Sequence, residues 1–210
     1  MPKRILVADD HRLFREGLIG LLPPREFIVV AEAGDGHTAV KLAQKHAPDI
    51  AILDITMPGL NGVDTTREIL RVSPATRIIV LTMHRESPYV VDAVRAGARG
   101  YVIKTQPAAE LVEAIQTVAR GDVYVARELS HALVDSFQDG PGASADPLSA
   151  RERQVLQLIA EGHTTKAIAD ELNISFKTAE SHRGRIMAKL GIHETASLVR
   201  YAIRQRLVQA

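Results

Sequence analysis

Between residue 4 and about residue 120, short runs of aliphatic and β-branched residues alternate with segments of helical period. This alternation dictates a parallel sheet wrapped by helices, because parallel neighbours need a long crossover between them. The apolar runs are Arg4–Ala8, Ile28–Glu32, Ile50–Asp54, Arg77–Thr82 and Gly100–Ile103. The last intervening segment places Leu111, Ala114, Ile115 and Val118 at i, i+3, i+4 and i+7, the stripe of an amphipathic helix. Right-handed crossovers then predict an α/β fold with a doubly wound, five-stranded parallel sheet.

The pattern changes after residue 122. Residues 123–147 read as a helix end followed by a linker, whose last stretch, DGPGASADP from 139 to 147, shows no period. From 148 to 210 every segment is helical, which predicts a separate all-α domain of four helices near 150–161, 165–172, 176–190 and 194–205. Thr164 and Ser175 are placed as N-caps, and Gly162 and Gly191 as C-caps.

Charge follows the same division. The chain of 210 residues has a formal net charge of +1. After Pro147, ten bases face six acids, a net of +4, while the rest stands at −3 with 16 bases and 19 acids. Two parts with different partners are implied. The absence of cysteine excludes a disulfide scaffold, a Cys-based zinc finger and a thiol nucleophile. No run approaches the roughly 20 apolar residues of a membrane span, and MPKRILVADD lacks the features of a secretory signal. A cytoplasmic protein without membrane contact is expected.

In a parallel sheet all strands end on one edge, where ligands bind. The residues at those ends are Asp9, Asp10, Asp54, Thr82 and Lys104. Three carboxylates in one crevice repel each other unless a cation shares the site. An oxygen-only set suits Mg2+, held by Asp9, Asp10, Asp54 and the backbone carbonyl of Thr56. A carboxylate can attack phosphorus to form an acyl phosphate, with Lys104 pairing one phosphoryl oxygen and the Thr82 hydroxyl donating to another. His11, directly after the acidic pair, is expected at a solvated position.

The motifs DD at 9–10, LDITMPGLNG at 53–62, LTMH at 81–84 and AGARGYVIK at 96–104 closely resemble the receiver domain of bacterial response regulators. The resemblance covers essentially all of residues 4–120 and implies a flavodoxin-like sheet. It also implies that Asp54 is phosphorylated by a sensor histidine kinase and that Thr82 and Tyr101 switch conformation in response. Four positions depart from the common pattern or tune it. Thr105 follows Lys104 where many receivers have proline, so the family does not fix that loop's shape. Met83 is bulky beside the switch threonine, where it would crowd a phosphoryl group. Thr56 and His84 occupy the positions that tune acyl-phosphate lifetime in receivers.

In the basic part, Ile168, Ala169 and Leu172 precede the short turn NIS, and Ile186 and Leu190 follow it at helical spacing. Small Ala169 and Ala179 allow two helices to approach as a helix-turn-helix requires. The helix after the turn carries Lys177, Arg183, Arg185 and Lys189 with Thr178, Ser181 and His182, a composition suited to phosphates and base edges. The segments LSARERQVL, IADELNIS, TAESHRGRIMAKLGI and LVRYAIRQRLV resemble the LuxR-type DNA-binding domain, and the whole chain is similar to NarL/FixJ-type response regulators. The resemblance implies recognition by residues 176–190, with Lys177, Glu180, Ser181 and Gly184 facing the groove. Thr178, His182 and Arg183 are placed near the DNA backbone, and Lys189 is a further DNA-binding residue. It further implies double-stranded promoter DNA as partner, a homodimer when phosphorylated or DNA-bound, RNA polymerase as a further partner, and no enzymatic activity beyond the chain's own phosphorylation and dephosphorylation. Thr165 and Ala167 stand where the family often has Asn and Glu, removing a capping box. Gly184 offers no base-reading side chain.

Two other readings compete. Gly34, Gly36 and Ala39 in EAGDGHTA fit the dinucleotide fingerprint G-x-G-x-x-G/A, but that reading leaves Asp9, Asp10, Thr82 and Lys104 unused. A phosphorelay receiver without specific DNA output is the other. Position 84 yields a direct test of the receiver reading: His84→Ala alters the rate of phospho-aspartate hydrolysis. An unchanged lifetime removes His84 from that role.

Overall fold

The computed structural model describes residues 1–83, 88–130, 147–205 and 207–208, and the chain divides into two compact units, Met1–Ala143 and Ser144–Ala210. In the first unit the strands are β1 (Lys3–Ala8), β2 (Phe27–Ala33), β3 (Ile50–Asp54), β4 (Arg77–Thr82), β5 (Gly100–Ile103) and β6 (Tyr124–Val125). They alternate with α1 (Arg12–Leu21), α2 (Gly36–His46), α3 (Gly62–Val72), α4 (Pro88–Ala96) and α5 (Ala108–Arg120). The sheet order is β2-β1-β3-β4-β5-β6, with every pairing parallel.

Burial explains the composition of the strands. β3 and β5 are buried along their whole length, as expected of strands covered on both faces, and their runs IAILD and GYVI are correspondingly apolar almost throughout. Among the described residues β2 pairs with β1 alone, and it is partly exposed along its centre. The stripe expected on α5 is the buried face: Leu111, Ala114, Ile115 and Val118 pack with Ile5, Ile52, Leu81 and Val102.

Among the described residues the sheet has six strands, not five. Tyr124 and Val125 add to the outer edge of β5, the Tyr124 N–H donating to the Arg99 carbonyl at 2.9 Å and the Ala126 N–H to the Tyr101 carbonyl at 2.9 Å. Ala126 and Leu129 are then fully buried, so part of the stretch read as helix end and linker belongs to the first unit. Two residues are too few to show a period, which is why the pattern conceals this strand.

Two glycines set how closely α2 and α3 approach the sheet edge. A Cβ on Gly36 would lie 2.2 Å from the Leu60 carbonyl oxygen and 2.3 Å from Thr65 Oγ1. One on Gly62 would lie 2.2 Å from the Asp54 carbonyl oxygen. Gly36 is therefore accounted for by helix packing against the β3–α3 loop, with no need of a bound pyrophosphate.

The second unit contains α6 (Ala150–Ala160), α7 (Thr165–Glu171), α8 (Phe176–Leu190) and α9 (Thr195–Arg204). Thr164 and Ser175 cap α7 and α8 as expected, their side chains accepting from the Ala167 and Thr178 N–H groups. Gly162 and Gly191 adopt φ of +88° and +63° just past α6 and α8. Buried Ala169 and Ala179 lie on α7 and α8, and the Ile174 N–H closes the turn on the Ala169 carbonyl at 2.9 Å. No helix among the described residues is long and apolar enough to cross a membrane.

The start of α6 is marked in the sequence by S-A-R-E from Ser149, a capping box in which Ser149 and Glu152 satisfy each other's backbone N–H groups. Glu152 is 3% exposed, and the Lys189 ammonium on α8 donates to its carboxylate at 2.6 Å. Burial alone would raise the Glu152 pKa, but Lys189 and the two Ser149 donors outweigh it and hold the group at about 2. An acid depressed on folding stabilises above its unfolded value and loses that contribution as pH falls through the folded one. Glu152→Gln is expected to cost about 1–3 kcal/mol at neutral pH, the scale of a charge-assisted hydrogen bond. In thermal unfolding at stepped pH the deficit should vanish as pH approaches about 2.

Candidate functional site

The strand order reverses between β2-β1 and β3, so the crevice at the topological switch lies beyond the C-terminal ends of β1 and β3. Asp9 follows β1 and Asp54 ends β3. Both are buried, at 0% and 3% exposure. Lys104, immediately after β5, reaches across the end of β4 to place its ammonium 2.6 Å from Asp9 Oδ2 and 2.8 Å from Asp54 Oδ2. The reach is fixed at the backbone, where the Lys104 N–H donates to the Thr82 carbonyl at 2.7 Å. The ammonium also lies 4.8 Å from the centre of the Phe14 ring, and its side chain is 6% exposed.

The remaining positions close around this pair. Thr82 is buried one residue beyond Leu81, the register partner of Asp54. The Thr56 N–H donates to the Asp54 carboxylate. Asp10 is exposed, and His11 Nδ1 lies 2.8 Å from Asp10 Oδ1 and 3.4 Å from Asp9 Oδ1. His11 thus joins the acidic cluster while its side chain stays 58% exposed, as a solvated position requires. Tyr101 is buried within β5, its hydroxyl donating to the Ala98 carbonyl at 2.6 Å, and burial pushes its pKa up. Met83 is 54% exposed, so much of its side chain lies at the surface. The loop after Lys104 closes through Gln106, whose side-chain oxygen accepts from the Ile103 N–H at 3.2 Å, in place of the missing proline. His84 lies outside the described residues.

Arg15 is a contributor the sequence reading did not single out. From α1 its guanidinium donates to the Asp9 carbonyl at 2.5 Å, holding the loop that carries the acidic pair. Nothing in a one-dimensional pattern marks a contact between a helix side chain and the backbone six residues before it.

Ligand atoms of Asp9, Asp10, His11 and Asp54 all lie within 4.8 Å of one another. Asp9 Oδ2 and Asp54 Oδ2 are buried and have no hydrogen-bond partner beyond their ion pair with the Lys104 ammonium. A close set of hard oxygen donors with unsatisfied lone pairs fits a divalent cation such as Mg2+.

Burial raises the Asp54 pKa, Lys104 lowers it and Asp9 raises it again, leaving the group at about 6. An acid whose pKa rises on folding loses stability as pH climbs from its unfolded value of 3.8 through about 6. In chelator-containing buffer near neutral pH, Asp54→Asn should therefore raise unfolding stability by about 2–3 kcal/mol. The gain should disappear below about pH 4. A variant less stable than the parent at neutral pH would contradict this balance.

In the second unit, Lys177, Thr178, Glu180, Ser181, Gly184 and Arg185 are exposed on α8. Arg183 and His182 are half-buried: the Arg183 guanidinium donates to the Thr195 hydroxyl on α9, and His182 Nδ1 is buried without a hydrogen-bond partner. Burial, with Arg185 and Arg151 nearby, lowers the His182 pKa. Lys189 is engaged with Glu152 as described. Composition does not reveal that Arg183 and Lys189 already have partners within the domain.

Residues 5–116 match the response regulator receiver domain, and residues 146–202 match the bacterial regulatory proteins of the luxR family. The chain is 38% identical to the oxygen regulatory protein NreC of Staphylococcus carnosus, over 98% of this chain and 99% of that one. Its structure is similar to a two-component response regulator of the LuxR family from Aurantimonas, with TM-score 0.62 and 37% identity, covering 66% of this chain and 99% of that one. It is also similar to the response regulator RcsB in complex with DNA, with TM-score 0.60 and 27% identity, covering 98% and 100% of the two chains. A receiver domain in front and a LuxR-type domain behind, matched together over nearly the full length of a relative, place this chain among the DNA-binding response regulators of the LuxR family.

Proposed function

We propose that Asp54 is the phosphoacceptor of a two-component pathway and that its phosphorylation by a sensor histidine kinase controls binding of promoter DNA by the second unit. The observation that carries this reading is the Lys104 ammonium held between Asp9 and Asp54 at the sheet's switch point. An Asp54 carboxylate oxygen attacks the phosphorus of a phosphohistidine. The new phosphorus–oxygen bond forms as the phosphorus–nitrogen bond breaks, and the electron pair leaves with the imidazole. Asp9, Asp10, Asp54 and the Thr56 carbonyl are the groups that would hold Mg2+, which when bound neutralises charge on the phosphoryl oxygens. Lys104 turns from the carboxylate to a phosphoryl oxygen, and the Thr82 hydroxyl donates to another. Tyr101 repacks within β5 as Thr82 moves, biasing a two-state receiver.

The chain acts on no substrate beyond its own phosphoryl group and works in the cytoplasm. On α8, Lys177, Glu180, Ser181 and Gly184 face the major groove, with Thr178 and Arg185 toward phosphates. A two-fold dimer would read half-sites about 34–36 Å apart, one turn of DNA, with RNA polymerase as a further partner.

Incubation of the full chain with acetyl phosphate and Mg2+ tests both halves. Labelling is expected on Asp54, absent in Asp54→Ala, together with tighter binding to a duplex selected from a random-sequence pool. Labelling of Asp54→Ala at the parent level rejects the site, and labelling without any gain in DNA affinity points to a phosphorelay receiver.

A further inference from the structure

We propose that Phe176 reads thymine, its ring contacting the C5-methyl group of that base in the major groove; the inference rests on α8 being the recognition helix. Among the described residues, the exposed large apolar side chains are Met1, Leu13, Leu21, Ile28, Met83, Val123 and Phe176. Phe176 alone belongs to the second unit, and it is 54% exposed. More than half of the residue stays in water, so part of the phenyl ring's apolar surface is left for a ligand to cover.

Its position supplies the ligand. Phe176 is the first residue of α8, directly after Ser175, whose hydroxyl oxygen accepts from the Thr178 N–H at 3.1 Å and lies 2.8 Å from Thr178 Oγ1. The cap fixes the direction of the chain at Phe176. In a helix-turn-helix the N-terminal residues of the second helix are the ones that reach base edges. The first turn of α8 carries no acidic residue and has Lys177 next to Phe176, so this end approaches phosphate without repulsion.

The neighbouring side chains leave one chemical feature of the groove unread. Lys177 can donate to guanine, Glu180 can accept from cytosine, Ser181 can do either, and Gly184 offers nothing. The thymine methyl is the apolar feature on a base edge, and phenylalanine is among the side chains that contact it. Phe176 and Glu180 are four residues apart and both exposed, so the apolar and acidic readers share one stripe of the helix.

The test uses the full chain and a duplex enriched from a random-sequence pool, in which each thymine is replaced in turn by deoxyuridine. That exchange removes only the methyl group. One thymine per half-site should weaken parent binding about fourfold on exchange, the value for one buried methylene-sized group. Phe176→Ala should be indifferent to exchange at that position while keeping the parent's salt dependence, and Phe176→Leu should retain part of the sensitivity. Indifference of the parent to every exchange overturns the inference, as does an equal loss in parent and Phe176→Ala. A Phe176→Ala chain with parental methyl sensitivity but altered self-association without DNA assigns the ring to a protein interface and likewise overturns it. If the parent enriches no duplex, the recognition-helix reading falls as well. Enrichment without methyl sensitivity removes Phe176 alone.

Discussion

Everything at the receiver's edge depends on one ammonium group between two buried carboxylates. Asp9 and Asp54 are brought side by side by the pairing of β1 with β3, and neither has enough water around it to tolerate its charge alone. Lys104 resolves the repulsion from two strands away, because β4 separates β5 from β3. The site therefore exists only when four strands are in register. Burial still outweighs the ammonium at Asp54, whose pKa stands at about 6, so the centre is close to an electrostatic balance. Such a balance is easily tipped by added charge, which is what a phosphoryl group and a divalent cation bring.

The second unit solves a similar problem differently. Glu152 is as buried as Asp54, yet its pKa is held low because it receives three donors, from Lys189 and from the backbone and hydroxyl of Ser149. One carboxylate caps α6 and anchors the C-terminal end of α8, fixing that helix within its domain. The contrast separates a capping carboxylate with three donors from one at the sheet edge left partly unsatisfied.

Periodicity made most of the fold legible, since each of the five long strands and the helices of both units has enough residues to show its pattern. Tyr124–Val125 did not, because two residues have no period. The five strand-end residues of the receiver were legible for a topological reason: parallel strands end on one edge whatever the loops do. On α8 the residues that the family resemblance points outward, Lys177, Glu180, Ser181 and Gly184, are exposed. The partners of Arg183 and Lys189 were not legible, because they lie on other helices, Thr195 on α9 and Glu152 on α6.

The amino-acid sequence by itself determined the two-domain order, the parallel sheet, the set of acidic and basic residues at its edge, and the helix-turn-helix with its caps, because these follow from local spacing and short-range hydrogen bonds. Only the tertiary structure decided which charges are spent inside the protein and which remain for ligands. Lys104 bridging Asp9 and Asp54, Arg15 holding the Asp9 carbonyl, and Lys189 committed to Glu152 are contacts between distant segments. The strength of each is set by burial and distance, quantities that a linear pattern does not contain.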